Sequence, residues 1–411
     1  MNNNLLAGMS RRGMFLLAAL IIIQLSLGIV CVEKKWNPVI QNDEALAELL
    51  TEMIEQHNQP AMSAALVHGK DIIAKATVGN IVYGEEQAAR ENSRFHIGST
   101  TKSMTAVLFA ILVNEGKLAY DMTLEQALPD MPKRDEYRTA TIHDLLCNKA
   151  GIMAFQQTQF EDPLIVKRIW QEIPVEYPDP SEQRREVTKL ALSLEPIAEP
   201  GTKVIYSNIG WPIIGYIVEQ AAGKAYEDLL QERIFRPLGM NTTKIGGWPA
   251  SESDPDQPRG HYPNQKNPDK PIPQKLDDTY VLPAWMNPSG GVHCSILDYA
   301  RYVREHLLGL QGKGKLLGQK EYATIHSVHV TANLREMYMN SNQDREVMFG
   351  YGWGIVKKED GYLSAAAGSG GTFFAQIYIY PALNVAFVGF TNCGNGAQAL
   401  KETYQKGTGL D

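Results

Sequence analysis

The sequence predicts a mixed α/β (α+β) fold: an antiparallel sheet built from both ends of the chain and flanked by helices, with an inserted helical part. Three observations point there. Strand-like runs lie at 61–67 and 72–78 and again at 352–357, 373–380 and 384–391, helical periodicity dominates between them, and the run Ser103 to Val113 is apolar on nearly every side. With 411 residues and 44% hydrophobic content the chain can bury a large core. The expected division is a leader at 1–32 and one domain at 33–411, with an α/β part at about 40–98 and 289–411 and a helical part at about 99–288.

In chain order, Arg11 and Arg12 precede an uncharged stretch of 20 residues, Gly13 to Val32, before Glu33, Lys34 and Lys35. A basic start and an apolar core read as an export signal or a signal anchor. Ser26-Leu27-Gly28 offers small residues for cleavage, while the uncut stretch is long enough to span a bilayer, so both outcomes stay open. Arg11-Arg12 loosely resembles a twin-arginine signal, and Val30 before Cys31 argues against lipoprotein processing. The protein is expected to be exported, periplasmic or extracellular, and to meet a membrane only through this segment if uncleaved.

Asp43 to Gln56 places Leu46, Leu49, Leu50 and Ile54 at helical spacing, and two strand-like runs separated by His68-Gly69-Lys70-Asp71 follow as a hairpin. The central helix after Ser99 is buried nearly all round, and Gly116 is available for a left-handed C-terminal cap. Two helical stretches flank the break at Tyr177-Pro178-Asp179-Pro180, and a further helix starts near Pro212 and ends at Gly223. Gly246 to Pro288 is rich in Pro, Asp and Gly and too long for a simple connector, which suggests a lid or insertion. A helix at Ile296 to Leu308 and a closing helix at Ala397 to Gln405 complete the chain, with the first hairpin and the last three strands expected in one sheet. The site is expected in the cleft between sheet and helical part.

Composition narrows the function. A formal charge of −7 with no basic stripe argues against a nucleic-acid partner. Beyond the leader only Cys147, Cys294 and Cys393 occur, widely spaced, and read as small buried hydrophobes. No Cys/His cluster has metal-ligand spacing, so neither metal nor cofactor is expected.

The chemistry concentrates in Gly98-Ser99-Thr100-Thr101-Lys102. A hydroxyl at the start of the helix and an amine three residues on emerge on one face, and a lysine held in an apolar first turn is a candidate base of lowered pKa. By itself Ser-x-x-Lys is a weak signal. Tyr206-x-Asn208, between the Pro200-Gly201 turn and a buried helix, strengthens it. A phenol beside an ammonium loses its proton more readily, so Tyr206 and Lys102 would share the proton of Ser99 while Asn208 holds the lysine and a substrate carbonyl. His96 reads as packed, Tyr351 and Trp353 as strand packing, and Gly370-Gly371 as a possible bulge.

With these motifs the chain resembles the serine β-lactamase and penicillin-binding-protein superfamily, in the branch of class C β-lactamases, D-alanyl-D-alanine carboxypeptidases and related esterases. The resemblance rests on Phe95-x-Ile97-Gly98-Ser99-x-x-Lys102, Asp144-Leu145-Leu146 to Gly151, Pro200-Gly201-Thr202 to Tyr206-Ser207-Asn208, Ser289-Gly290-Gly291 with Asp298, and Thr391-Asn392. It covers roughly residues 45 to 400. It implies a β-lactamase/transpeptidase-like fold, acylation of Ser99 and hydrolysis of the acyl-enzyme by water.

One departure stands out. The family carries Lys-Thr-Gly or His-x-Gly on the strand beside the cleft, where this chain has Ala366-Ala367-Gly368-Ser369-Gly370-Gly371-Thr372, with Ala366 or, in another register, Gly368 in the basic position. Glycines at Gly368 and Gly370 would still let backbone approach the substrate, with an N–H near Ser369 joining that of Ser99 as an oxyanion hole. The missing cation favours neutral esters or amides over β-lactams and peptide carboxylates. The alternatives are a β-lactamase or D-alanyl-D-alanine carboxypeptidase anchored by Arg335 or Arg345, and a non-catalytic cell-wall-binding protein that keeps the fold.

Overall fold

The computed structural model describes residues 36–156, 162–277, 282–338 and 341–411. The leader expected at 1–32 lies outside them. Asn37–Asp411 forms one compact unit. Among the described residues no helix is long and apolar enough to cross a membrane.

The elements that carry the site are, in order, α1 (Asp43–His57), β1 (Ala61–His68), β2 (Asp71–Gly79), β3 (Phe95–His96) and α2 (Thr101–Asn114). There follow α3 (Pro180–Ser193), α4 (Gly210–Ala222), β4 (Lys244–Ile245), β5 (Val292–Cys294) and α5 (Ile296–Leu310). The last stretch supplies β6 (Val330–Asn333), β7 (Glu346–Phe349), β8 (Gly354–Lys358), β9 (Gly361–Ser369), β10 (Phe374–Tyr380), β11 (Val385–Thr391) and α6 (Ala397–Thr408).

An 8-stranded sheet runs β2-β1-β11-β10-β9-β8-β7-β6, all pairs antiparallel. The hairpin of one chain end therefore abuts the last strand of the other, with Ala65 opposite Val388. The mixed fold is as expected, but the sheet is larger than the first hairpin plus three strands. β6 and β7 are four residues each, too short for a period to register, and β9 reads Gly-Tyr-Leu-Ser-Ala-Ala-Ala-Gly-Ser, poor in β-branched residues. Tertiary pairing makes strands of them.

Both faces of β11 are covered, so all seven of its residues are buried rather than alternating. Phe390 stacks on Tyr299 of α5 at 5.5 Å, while Phe387, pointing the other way, meets Tyr404 of α6 at 5.7 Å. On the α5 side lies α2, every residue of which from Thr101 to Leu112 is buried, as its apolar circumference predicts. Gly116 takes the left-handed conformation at the end of α2, and Gly223 does so after α4.

Within the long Gly246–Pro288 segment, the part around His261 is fastened to the end of the sheet. His261 accepts from the Tyr83 N–H (2.9 Å), bonds the Asn392 carbonyl (2.8 Å), and its own N–H reaches the Thr372 carbonyl (2.9 Å). It contains a small hairpin of His261–Tyr262 with Ile272–Pro273. Cys147, Cys294 and Cys393 are all buried free thiols.

Candidate active site

A short 3-10 turn, Gly98–Thr100, joins β3 to α2 and presents Ser99. Gly98 has φ 51°, which favours glycine, and a side chain there would strike the Ser369 backbone N at 2.5 Å. Gly368 is held as tightly from the opposite side: a Cβ on it would sit 2.2 Å from the Ile97 carbonyl oxygen and 2.7 Å from the Ser99 N. Gly368 has no room for a side chain, whereas Ala366 lines the cavity of about 560 Å³ that also holds Ser99 and Lys102.

Lys102 is 4% exposed. Its Nζ lies 3.0 Å from Ser99 Oγ, 3.1 Å from Asn208 Oδ1 and 2.8 Å from the Ser289 carbonyl oxygen. Burial alone lowers its pKa to about 7. Both Asn208 Oδ1 and the Ser289 carbonyl are acceptors only and take two of the amine's N–H groups, while Ser99 Oγ, the third neighbour, accepts from the ammonium and can donate to the lone pair of the neutral amine.

Each neighbour is fixed by its own partner. Asn208 Nδ2 donates to the Phe155 carbonyl at 3.0 Å, which orients Oδ1 toward the lysine. Part of the amide that was expected for a substrate carbonyl is thus committed to the protein. The Ser289 carbonyl sits on a short turn, Asn287–Gly290, held by buried charge. Arg184 of α3 pairs with Glu219 of α4 at 2.5 Å and with Glu227 at 2.8 Å, and Asn287 Nδ2 donates to Glu227 at 2.6 Å. On α2, Thr105 donates to the Pro288 carbonyl at 2.6 Å.

Tyr206 Oη donates to Ser99 Oγ at 2.9 Å, and Lys102 Nζ lies 5.1 Å from its ring centre. Its expected acidity is not found. Burial, with Tyr338 beside it, drives the Tyr206 pKa well above its ordinary value, only partly offset by the hydrogen bond to Ser99. Desolvation thus favours the neutral form of both groups, the protonated phenol and the uncharged amine.

Ser99 stands where two cavities meet. The larger includes Leu146, Trp211, Met337, Tyr338, Trp353 and Gln376, with Arg345 and Lys357 at its rim; the smaller, about 250 Å³, holds Phe155, Trp170, Asn208, Ser369 and Gly370. Arg345 is exposed and makes no ion pair with any described residue, and Arg335 does not line either cavity. Ser369 contributes backbone only, because its Oγ donates to the Phe373 carbonyl (2.7 Å) and accepts from Gly371 N (3.0 Å). Gly370-Gly371 is therefore the turn between β9 and β10 rather than a bulge.

His96 is packed. It is fully buried against Trp248 at 4.8 Å, accepts from the Gly98 N–H at 3.2 Å, and burial lowers its pKa to about 4. Tyr351 packs between Tyr120 and His329, while Trp353 lines the larger cavity. The role of the Ser289 carbonyl was not legible, since nothing local in Ser-Gly-Gly marks a carbonyl 187 residues from its lysine. Among the described residues no group of three or more His, Cys, Asp or Glu could hold a metal ion.

Comparison with known proteins shows the family and the fold. A family model described as Beta-lactamase matches residues 46–407. The chain is 25% identical over 273 residues to "Unguisins hydrolase ungD'" of Aspergillus campestris, covering 64% of this chain and 46% of that protein. It is 24% identical over 324 residues to "Penicillin-binding protein 4*" of Bacillus subtilis, covering 76% of this chain and 63% of that one. It thus spans about half to two thirds of the length of these curated relatives. A solved structure described as a class C beta-lactamase superposes with a TM-score of 0.65 at 17% identity, over 88% of this chain and 95% of the other.

Proposed function

Since the chain belongs to the Beta-lactamase family, whose superfamily comprises serine hydrolases of the β-lactamase and penicillin-binding-protein kind, we propose that it cleaves an ester or amide bond through an acyl-enzyme on Ser99. Lys102 is the base in this reading. Its neutral amine takes the Ser99 proton as Oγ attacks the substrate carbonyl, and the N–H groups of Ser99 and Ser369 face the developing oxyanion. The Lys102 ammonium then returns that proton to the leaving group, while Tyr206 stays protonated and donates to Ser99 Oγ. Water then hydrolyses the ester. The observation that carries this reading is the buried Lys102 amine 3.0 Å from Ser99 Oγ, with its other two contacts taken by Asn208 Oδ1 and the Ser289 carbonyl.

The substrate reading is an ester in preference to a β-lactam. Supporting it, Ala366, the residue read from the sequence at the family's basic position, lines the larger cavity with Met337, Tyr338 and Trp353 and brings no cation there. A second reading, a carboxypeptidase or β-lactamase, is favoured by Arg345 at the rim of the same cavity. The Arg11-Arg12 start and uncharged stretch support export, with the domain outside the cytoplasm.

A panel of aryl esters, a cephalosporin and a D-alanyl-D-alanine peptide, followed by mass spectrometry of the trapped acyl-enzyme, tests these readings together. Labelling at Ser99 by a fluorophosphonate or a penicillin, abolished in Ser99→Ala, is expected. No label with either reagent would favour a non-catalytic cell-wall-binding role instead, and an aryl-acetate rate unchanged in Ser99→Ala would sink the acyl-enzyme reading.

A further inference from the structure

A third cavity, of about 360 Å³, lies behind the wall of the smaller one beside Ser99. It is built from the loop after β4 and the start of the 274–276 segment, and Trp248 lines it. The same indole packs on His96, and a Cβ on Gly370 would meet it at 2.9 Å, so one side chain separates this space from the cavity that His96 and Gly370 line.

Its charge is unbalanced. Arg94, Lys244, Arg259 and Lys275 line it, against one carboxylate, Asp254. Asp254 is already engaged by Arg94 and lies 3.6 Å from Lys244. Arg94 is further occupied by His293 Nδ1 at 3.3 Å and the Pro249 carbonyl at 3.4 Å. His293 adds no charge, because burial lowers its pKa to about 3.

Arg259 is different. Its Nε is buried and has no hydrogen-bond partner, and no ion pair among the described residues involves its guanidinium. A buried donor left unmatched costs free energy, and a guanidinium fork is matched by the paired oxygens of a phosphate or carboxylate. Lys275, exposed on the same wall, is also without an ion-pair partner among the described residues.

We propose that this cavity is a second binding site, separate from the Ser99 cavities, for a small-molecule phosphate monoester whose oxygens are held by Arg259, Lys275 and Lys244. A dianion is favoured over a single carboxylate by the excess of cations over Asp254. The volume falls within the range of small-molecule pockets, leaving room for an organic group beside the phosphate.

The test is titration calorimetry of the full chain with phenyl phosphate, at ionic strength held constant with sodium chloride, and with phenyl acetate's acid product, acetate, as the monoanion control. Saturable binding of phenyl phosphate is expected. It should weaken about ten- to hundredfold in Arg259→Gln, the loss of charged hydrogen bonds, and measurably in the exposed Lys275→Gln, which leaves the fold untouched. Binding should persist after Ser99 is blocked with a fluorophosphonate. Unchanged affinity in both variants, absence of saturable binding, equal affinity for acetate, or loss of binding on blocking Ser99 would each overturn the proposal. The acyl-enzyme reading stands under every one of these outcomes, and the last would place the anion in the Ser99 cavity.

Discussion

The amine of Lys102 and the carbonyl of Ser289 stand 2.8 Å apart, although 187 residues separate them in the chain. That contact, with Asn208, takes two of the amine's three contacts, and Ser99 Oγ takes the third. In the proposed mechanism this makes the Lys102 and Ser99 pair a base and its nucleophile.

The first consequence is a pH profile. Lys102 acts as a base only when neutral, and burial lowers its pKa to about 7. Acylation measured as kcat/KM should rise with pH through about 7, be level above it, and fall roughly tenfold per unit well below it. His96 at about 4 and His293 at about 3 titrate too low to produce that limb. Lys102→Arg, which stays charged, should lose about 10²–10⁴ in rate, read with an aryl acetate.

Tyr206 is expected to donate rather than to accept, because burial raises its pKa. Tyr206→Phe should lower kcat by roughly 10²-fold or more while leaving the acidic limb in place. Disappearance of that limb in the variant would assign the base to the phenol.

Gly368→Ala forces a methyl to within 2.2 Å of the Ile97 carbonyl oxygen and 2.7 Å of the Ser99 N. Because both obstacles are backbone, the strand or the nucleophile's turn must shift. A cost of about 1–3 kcal/mol in stability and a fall in kcat of roughly 10²-fold, as for a lost oxyanion donor, are expected. Thermal melts and steady-state kinetics separate the two.

Ala366→Lys returns a cation to the wall of the larger cavity. The ratio of kcat/KM for a cephalosporin to that for a neutral aryl ester should rise about tenfold, the worth of one charged hydrogen bond. Arg345→Gln should leave neutral-ester turnover unchanged; a fall in turnover of carboxylated substrates alone would favour the second substrate reading.

Arg184 is fully buried and satisfies two carboxylates. Arg184→Leu would leave Glu219 buried without its cation and is expected to cost about 3–5 kcal/mol, visible in denaturant unfolding. The Asn287–Gly290 turn depends on this triad through Glu227, so residual enzyme should also acylate more slowly.

The sequence alone determined what covalent spacing and periodicity can encode. Ser99 and Lys102 share a face because they lie three residues apart on a helix, and α2 is buried because its apolar residues surround it. Tyr206 and Asn208 were legible as a second polar motif, although the chemical division between Tyr206 and Lys102 was not. That division depends on desolvation, which lowers an amine and raises a phenol and is set by what the rest of the chain packs around each. The same holds for Ser289, whose carbonyl has no side-chain signature, and for Gly368, whose register against Ile97 and Ser99 follows from strand pairing between distant segments. Local order wrote the nucleophile and its neighbours into the sequence; only tertiary packing decided which of them holds the proton.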